Sequence, residues 1–249
     1  MSAYLVAALA GLILGRFLSA AVEAAPAGAP VHSAVGTRPG CGCRSGRWGH
    51  LPIVWWVARR GRCPRCEALP GIVHPLIEVV TAGAFAGTVH FVGPTWTLPA
   101  YLWFAVVTVV LGFIDFGHHL IPNRILVPGT IVAVVLLAAG AAREDRLGDL
   151  PESLMTGLGY FVALGAAAFL TRGAIGMGDV KLAFLLGVFA GYGGWEVAVP
   201  AAAGAFLLAG LAAVILIALR RLTRNDHIPF GPFMVAAAWI AIARDLGAG

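Results

Sequence analysis

The stretch LPAYLWFAVVTVVLGFIDF, from Leu98 to Phe116, decides how this chain folds. Its nineteen residues carry one charge, Asp115, next to the end. About 20 apolar residues cross a bilayer as a helix, so this is a membrane span that ends in an acid. A carboxylate at the edge of hydrocarbon is expensive, and such a group is usually paired, solvated in a cavity, or functional. A second acid sits in a comparable place: Asp179, within Gly176-Met177-Gly178-Asp179-Val180-Lys181. Two such acids point to a shared site in which one carboxyl is protonated and the other ionised.

The rest of the chain agrees with a membrane setting. Of 249 residues, 59% are hydrophobic and only 12% charged, with a mean hydropathy of +0.88. Soluble domains carry about 25% charged residues. The apolar residues fall in long runs, which implies a polytopic all-α protein; a transmembrane β-barrel would show short alternating segments instead. The net charge is +5. The basic residues lie in loops between apolar runs, without interleaved aromatic platforms, which argues against nucleic acid as a partner. Their placement reads as membrane topology.

Eight spans are expected: Ala3–Val22, Ile72–Val92, Leu98–Phe116, Ile125–Ala142, Leu154–Leu170, Ala174–Tyr192, Val197–Leu219 and Phe230–Ala243. The sixth is short. Leu182 to Tyr192 is too few residues to cross at about 1.5 Å each. That helix must begin earlier and take in Gly176–Lys181, which brings Asp179 just inside the membrane boundary.

Loops 23–71, 117–124, 171–181 and 220–229 then fall on one side. They hold Arg38, Arg44, Arg47, Arg59, Arg60, Arg62, Arg65, Arg124, Arg172, Lys181, Arg220, Arg221 and Arg224. The other side has Arg143, Arg146 and Arg244. The positive-inside rule makes the first side cytoplasmic. Both aspartates lie at helix ends on that side and can meet at one depth. The chain divides into a first span (1–22), a cytoplasmic loop (23–71) and a helical membrane domain (72–249). A secretory signal over residues 1–25 is the rival reading, because Ala-Glu-Ala-Ala-Pro-Ala resembles a cleavage site. It lacks a basic start, since Arg16 follows the apolar run, and cleavage would export the most Arg-rich loop.

The loop holds all four cysteines, as Cys41-Gly42-Cys43 and Cys63-Pro64-Arg65-Cys66. Two close pairs across a spacer suit a tetrahedral zinc site of four thiolates, and thiolates persist as ligands in a reducing cytoplasm. The C-x-C pair strains simultaneous chelation, and His50 is a substitute ligand. The plainer reading is four ordinary thiols in a Gly/Arg-rich loop. A zinc here would hold the loop together, since catalysis needs an open coordination position. Trp55 and Trp56 suit the membrane interface.

Each acid also has a plain reading. Asp115 would simply end a span, and Asp179 would be a turn residue paired with Lys181. Sharing one face and one depth weakens both. Gly176 and Gly178 permit close backbone approach beside Asp179, as a cleft for an extended peptide requires. Ile121-Pro122 closes the loop after Asp115. Glu78 is a third acid, inside the second span in His74-Pro75-Leu76-Ile77-Glu78. It is either a supporting group or a partner for a cation. His118 and His119 read as solvated loop residues.

At these blocks the chain resembles the type IV prepilin peptidases, membrane aspartic proteases that process pilin-like and secretion pseudopilin precursors. Phe113-Ile114-Asp115 with Leu120-Ile121-Pro122-Asn123-Arg124 is similar to the family's first aspartate motif. Gly176 to Lys181 is similar to its G-x-G-D-x-K motif. Ile228-Pro229-Phe230-Gly231-Pro232-Phe233 resembles its late block. Gly11–Gly15, the cysteine loop and Pro75–Glu78 resemble its N-terminal part. G-x-G-D alone is shared with presenilin-like proteases, whereas four blocks in order cover nearly the whole chain. Two departures fall together: C-x-C replaces the family's first C-x-x-C, and Ser19–Ala25 replaces a polar motif that closes the first span.

The resemblance implies a bacterial inner-membrane endopeptidase that removes prepilin leaders at the cytoplasmic face, with Asp115 and Asp179 catalytic and Gly176, Gly178, Lys181 and Glu78 supporting. The zinc reading of Cys41, Cys43, Cys63 and Cys66 rests on their spacing alone. Larger members also N-methylate the new N-terminus with S-adenosylmethionine through the cysteine-bearing region, where this chain departs. Two other classes stay open. Ion-coupled transport would use the same acids as a proton relay but calls for acids near the midplane and an internal repeat. A zinc-stabilised scaffold would leave the aspartates dispensable.

Overall fold

The computed structural model of the protein describes residues 2–25, 72–171, 175–220 and 228–248. Every regular element among them is helical: α1 (Ser2–Ala24), α2 (Val73–Val92), α3 (Leu98–His118), α4 (Asn123–Arg143), α5 (Leu150–Leu170), α6 (Met177–Tyr192), α7 (Trp195–Ala218) and α8 (Gly231–Ala248), with a 3-10 turn at Leu147–Asp149 before α5. Six of these, α1 to α5 and α7, are long and apolar enough to cross a membrane. The expectation of eight independent spans needs refinement at α6 and α8. At 16 residues, α6 reaches about 24 Å, less than the roughly 30 Å of hydrocarbon. It is also the central helix. Val180, Leu182, Leu185 and Phe189 on it are fully buried. A short helix is tolerated there because protein, not lipid, surrounds its body from Leu182 to Tyr192, while its polar start is exposed at Gly176 and Met177.

Glycine seams hold neighbouring helices together. On α1, a Cβ at Gly11 would stand 2.7 Å from the Thr81 carbonyl oxygen, and one at Gly15 would stand 2.7 Å from the Glu78 Cα. The α5–α6 seam is tighter. A Cβ at Gly187 would lie 2.8 Å from the Gly157 Cα, and one at Gly191 would lie 2.5 Å from the Thr156 Cβ. Hydrocarbon offers no hydrophobic drive between helices, so close backbone packing and interhelical hydrogen bonds supply the attraction. Ser153 Oγ adds such a bond, donating to the Val188 carbonyl at 2.7 Å.

α3, α6 and α8 meet through aromatic rings. Phe104 stacks on Phe189 with centroids 4.2 Å apart, and Trp239 lies 5.1 Å from Phe104. The Trp239 indole N–H donates to Thr108 Oγ1 at 3.1 Å, which satisfies a polar group inside the bundle. This three-helix contact joins the first half of α3, the end of α6 and the middle of α8 and sets their register.

Candidate active site

Asp115 occupies the last turn of α3 and is buried, 5% exposed. The helix stops just beyond it. His119 adopts the left-handed conformation at φ 52°, and its N–H closes on the Asp115 carbonyl at 2.8 Å, a common helix-ending geometry. Pro122 is extended and caps α4, whose first amide bonds return to its carbonyl. The chain therefore reverses within a few residues, and Ile121 is placed beside the acid.

Asp179 lies in the first turn of α6, capped by Gly176 in an extended conformation. The helix begins at Met177, which bears out the expectation that it takes in most of the Gly176–Lys181 stretch. Asp179 is half-buried and accepts a hydrogen bond from the Gly176 backbone. It is close enough to Asp115 for the two charges to interact. An acid in a first turn is favoured by the positive end of the helix dipole.

The start of α8 completes the corner. The Gly231 N–H donates to Asp115 Oδ2 at 3.1 Å. This amide is one of the helix's unpaired N-terminal donors, and the carboxylate satisfies it. A Cβ at position 231 would lie 2.7 Å from Asp115 Oδ2, so the approach requires glycine. Pro232 follows where no N–H is needed. A Cβ at Gly178 would stand 2.8 Å from the Ile121 Cβ, and the Ile121 Cδ1 lies 3.5 Å from the corresponding point at Gly231. Ile121 is thus wedged between the Asp179 turn and the start of α8.

The supporting residues divide. Gly178 makes the close approach expected of it. Gly176 does not: an added Cβ would sit at an ordinary 3.5 Å from Asp179 Oδ2, and its part is to cap α6. Lys181 does not pair with Asp179; its ammonium donates to Asn123 Oδ1 at 3.0 Å and ties the start of α6 to the start of α4. Glu78 is buried, 4% exposed, in the seam between α1 and α2. His118 is exposed, whereas His119 is near enough to Asp115 for its charge to bear on that carboxylate. Sequence reasoning passed over Gly231, Ile121, Asn123 and His119 as site residues. The glycine inside Ile228–Phe233, just before Pro232, was the available signal for the first. Cys41, Cys43, Cys63, Cys66 and His50 lie outside the described residues. Among those described, no group of three or more His, Cys, Asp or Glu is arranged to hold a metal.

Two family profiles match this arrangement. The type IV leader peptidase family matches residues 96–219, which include α3, Asp115, α6 and Asp179. The bacterial peptidase A24 N-terminal domain matches residues 9–92. The chain belongs to the type IV leader peptidase family. Similar proteins include the prepilin leader peptidase/N-methyltransferase of Pseudomonas aeruginosa, 29% identical over 82% of this chain and 69% of that protein. The one from Aeromonas hydrophila is 32% identical over 78% of this chain and 66% of its own length. The one from Myxococcus xanthus is 29% identical over 72% and 53%. No solved structure matches significantly. Family membership and six spanning helices make this leader peptidase relative a multi-pass membrane protein.

Proposed function

We propose that this chain is an aspartic endopeptidase that removes the leader from prepilin-like precursors, with Asp115 and Asp179 as its catalytic pair. The observation that carries the reading is the corner itself. Two acids from separate helices interact at one bundle end, and the first is held by the Gly231 amide. Family relatives named as prepilin leader peptidases supply the substrate class.

The chemistry follows from two carboxyl groups that share one proton. The ionised member takes a proton from a water molecule, and the water oxygen attacks the scissile carbonyl carbon. The protonated member gives its proton to the carbonyl oxygen. The tetrahedral centre then collapses, the C–N bond breaks, and the amine leaves with the proton first taken from water. One hydroxyl of the centre returns its proton to the carboxylate that had donated, so the pair again holds one proton. One water is consumed, and the two products are a carboxylic acid and an amine. The pair titrates as a unit, so the roles belong to the pair.

The site faces the cytoplasm in this reading. Lys181 lies beside Asp179 at the start of α6, Arg124 at the start of α4 just after the α3 end that carries Asp115, and Arg220 follows the end of α7 that precedes α8. The substrate's apolar helix would lie in the lipid beside the enzyme, with its leader among headgroups. We assign the 23–71 loop a structural zinc on Cys41, Cys43, Cys63 and Cys66, checked by zinc content per chain before and after Cys63→Ser. S-adenosylmethionine would serve only a second reaction, N-methylation of the new terminus.

Asp115→Asn and Asp179→Asn, each alone, are expected to abolish cleavage of a prepilin-like precursor in proteoliposomes, a loss on the order of 10⁴-fold or more. Both variants should insert and fold. Full cleavage by either would remove the dyad.

A further inference from the structure

Rows of side chains on α6 and α8 lead away from the aspartates. On α6, Asp179, Ala183 and Leu186 follow one another at helical spacing on one face. On the other side, Phe230 precedes the Gly231 that holds Asp115, and Met234 and Ala238 follow it down α8. Apart from the acid, these residues line one cavity, closed further by α5 and α7. It holds about 150 Å³ and is almost wholly apolar. From Phe230 to Ala238 it runs roughly 12 Å along the helix axis.

The far end and the side of this cavity are defined as well. The Tyr160 hydroxyl donates across to the Ala198 carbonyl, which links mid-α5 to the first turns of α7. Beyond that bond, α5 and α7 scarcely touch. Phe206 of α7 is 57% exposed and lies against Phe230, with centroids 5.2 Å apart, at the aspartate end. The cavity therefore opens sideways toward lipid between α5 and α7, and its upper end, at Phe230 and Ala183, lies about one helical turn from the candidate dyad.

We infer that this cavity is a specificity subsite that takes large apolar side chains from the first two helical turns of the substrate after the scissile bond. The inference rests on the leader-peptidase reading, which places an apolar helix there. A volume near 150 Å³ accommodates a benzene-sized group, not a whole helix, so the substrate helix lies along the mouth and inserts one face. Ala163, Ala167 and Ala202 at the walls allow its backbone to come close. Tyr160 has spent its hydroxyl on Ala198, so the pocket favours apolar groups over polar ones. Ala183 lies one turn along α6 from Asp179, and Phe230 adjoins the Gly231 that holds Asp115, so the cavity starts about one helical turn from the acids, which selects a substrate segment over an acyl chain.

The test is photo-cross-linking in proteoliposomes. Phe206 is replaced by benzoylphenylalanine in the full chain carrying Asp115→Asn, which traps uncleaved precursor. The expected adduct maps to the first two turns after the scissile bond, and the same probe at Val214, on the lipid face of α7, gives lipid adducts alone. Lipid adducts alone from position 206 would overturn the subsite, while cleavage by the native chain would still stand as the check on the dyad. A second measurement uses Ala202→Trp, which fills the cavity. The preference for full precursor over a short peptide that spans only the leader and scissile bond should fall about tenfold or more. An unchanged preference, including an equal loss on both substrates, would overturn the subsite.

Discussion

Helices α6 and α7 are neighbours in sequence, both apolar beyond their first turns, and they live in opposite surroundings. α6 is enclosed, with an unbroken buried run from Leu185 to Tyr192. α7 buries Val197, Ala198, Ala201 and Ala205 and leaves Phe206, Leu207, Leu211 and Val214 outside. In water, an apolar residue belongs inside, and amphipathicity tells the two sides of a helix apart. In a bilayer the outside is as apolar as the inside. What separates these helices is small residues and polar commitments. α6 has Gly187 and Gly191 pressed on α5 and an acid in its first turn. α7 has Gly210 with open space around it.

The strongest way to break the comparison is to enlarge those glycines. Gly187→Leu drives a side chain into the Gly157 backbone and should cost roughly 3 kcal/mol or prevent folding. Gly210→Leu projects into open space and should stay within about 0.5 kcal/mol. Folded yield and denaturation in mild detergent measure both, and equal effects would mean the α5–α6 seam is not what holds α6.

A narrower test concerns the corner that α6 shares with α3 and α8. Gly231→Ala places a methyl 2.7 Å from Asp115 Oδ2 and must displace the carboxyl or the start of α8. Precursor cleavage should fall about 100-fold with folding retained, because misplacement of about 1 Å is enough for such a loss. Normal turnover would show that the Gly231 amide does not position the acid. The smallest effect is expected from Ser153→Ala, which removes the bond to the Val188 carbonyl. Interhelical bonds in membranes average about 0.6 kcal/mol, so stability should drop by that order with cleavage unaffected.

Part of the site was legible in the chain. Asp115 and Asp179 stood out because charge beside hydrocarbon is costly, and a count of Arg in loops placed both at one membrane face. The short reach of Leu182–Tyr192 correctly drew Asp179 into a helix. Other features were not legible. Lys181 reads as the obvious partner of Asp179 two residues away, yet it reaches Asn123, 58 residues distant in the chain. Gly231 reads as punctuation before Pro232, yet its amide is the donor to Asp115, 116 residues away. Sequence proximity favours local pairing, and helix ends that meet in space override it.

By itself the sequence determined the membrane class, the positions of the helices and the two costly acids, because hydropathy, span length and charge are local or additive along the chain. Only the tertiary structure decided which apolar helix is central and which faces lipid, and which backbone amide holds Asp115. It also decided that an apolar cavity forms among α5, α6, α7 and α8. Those outcomes depend on which surfaces come within van der Waals reach, and lipid and protein interior look alike to hydropathy.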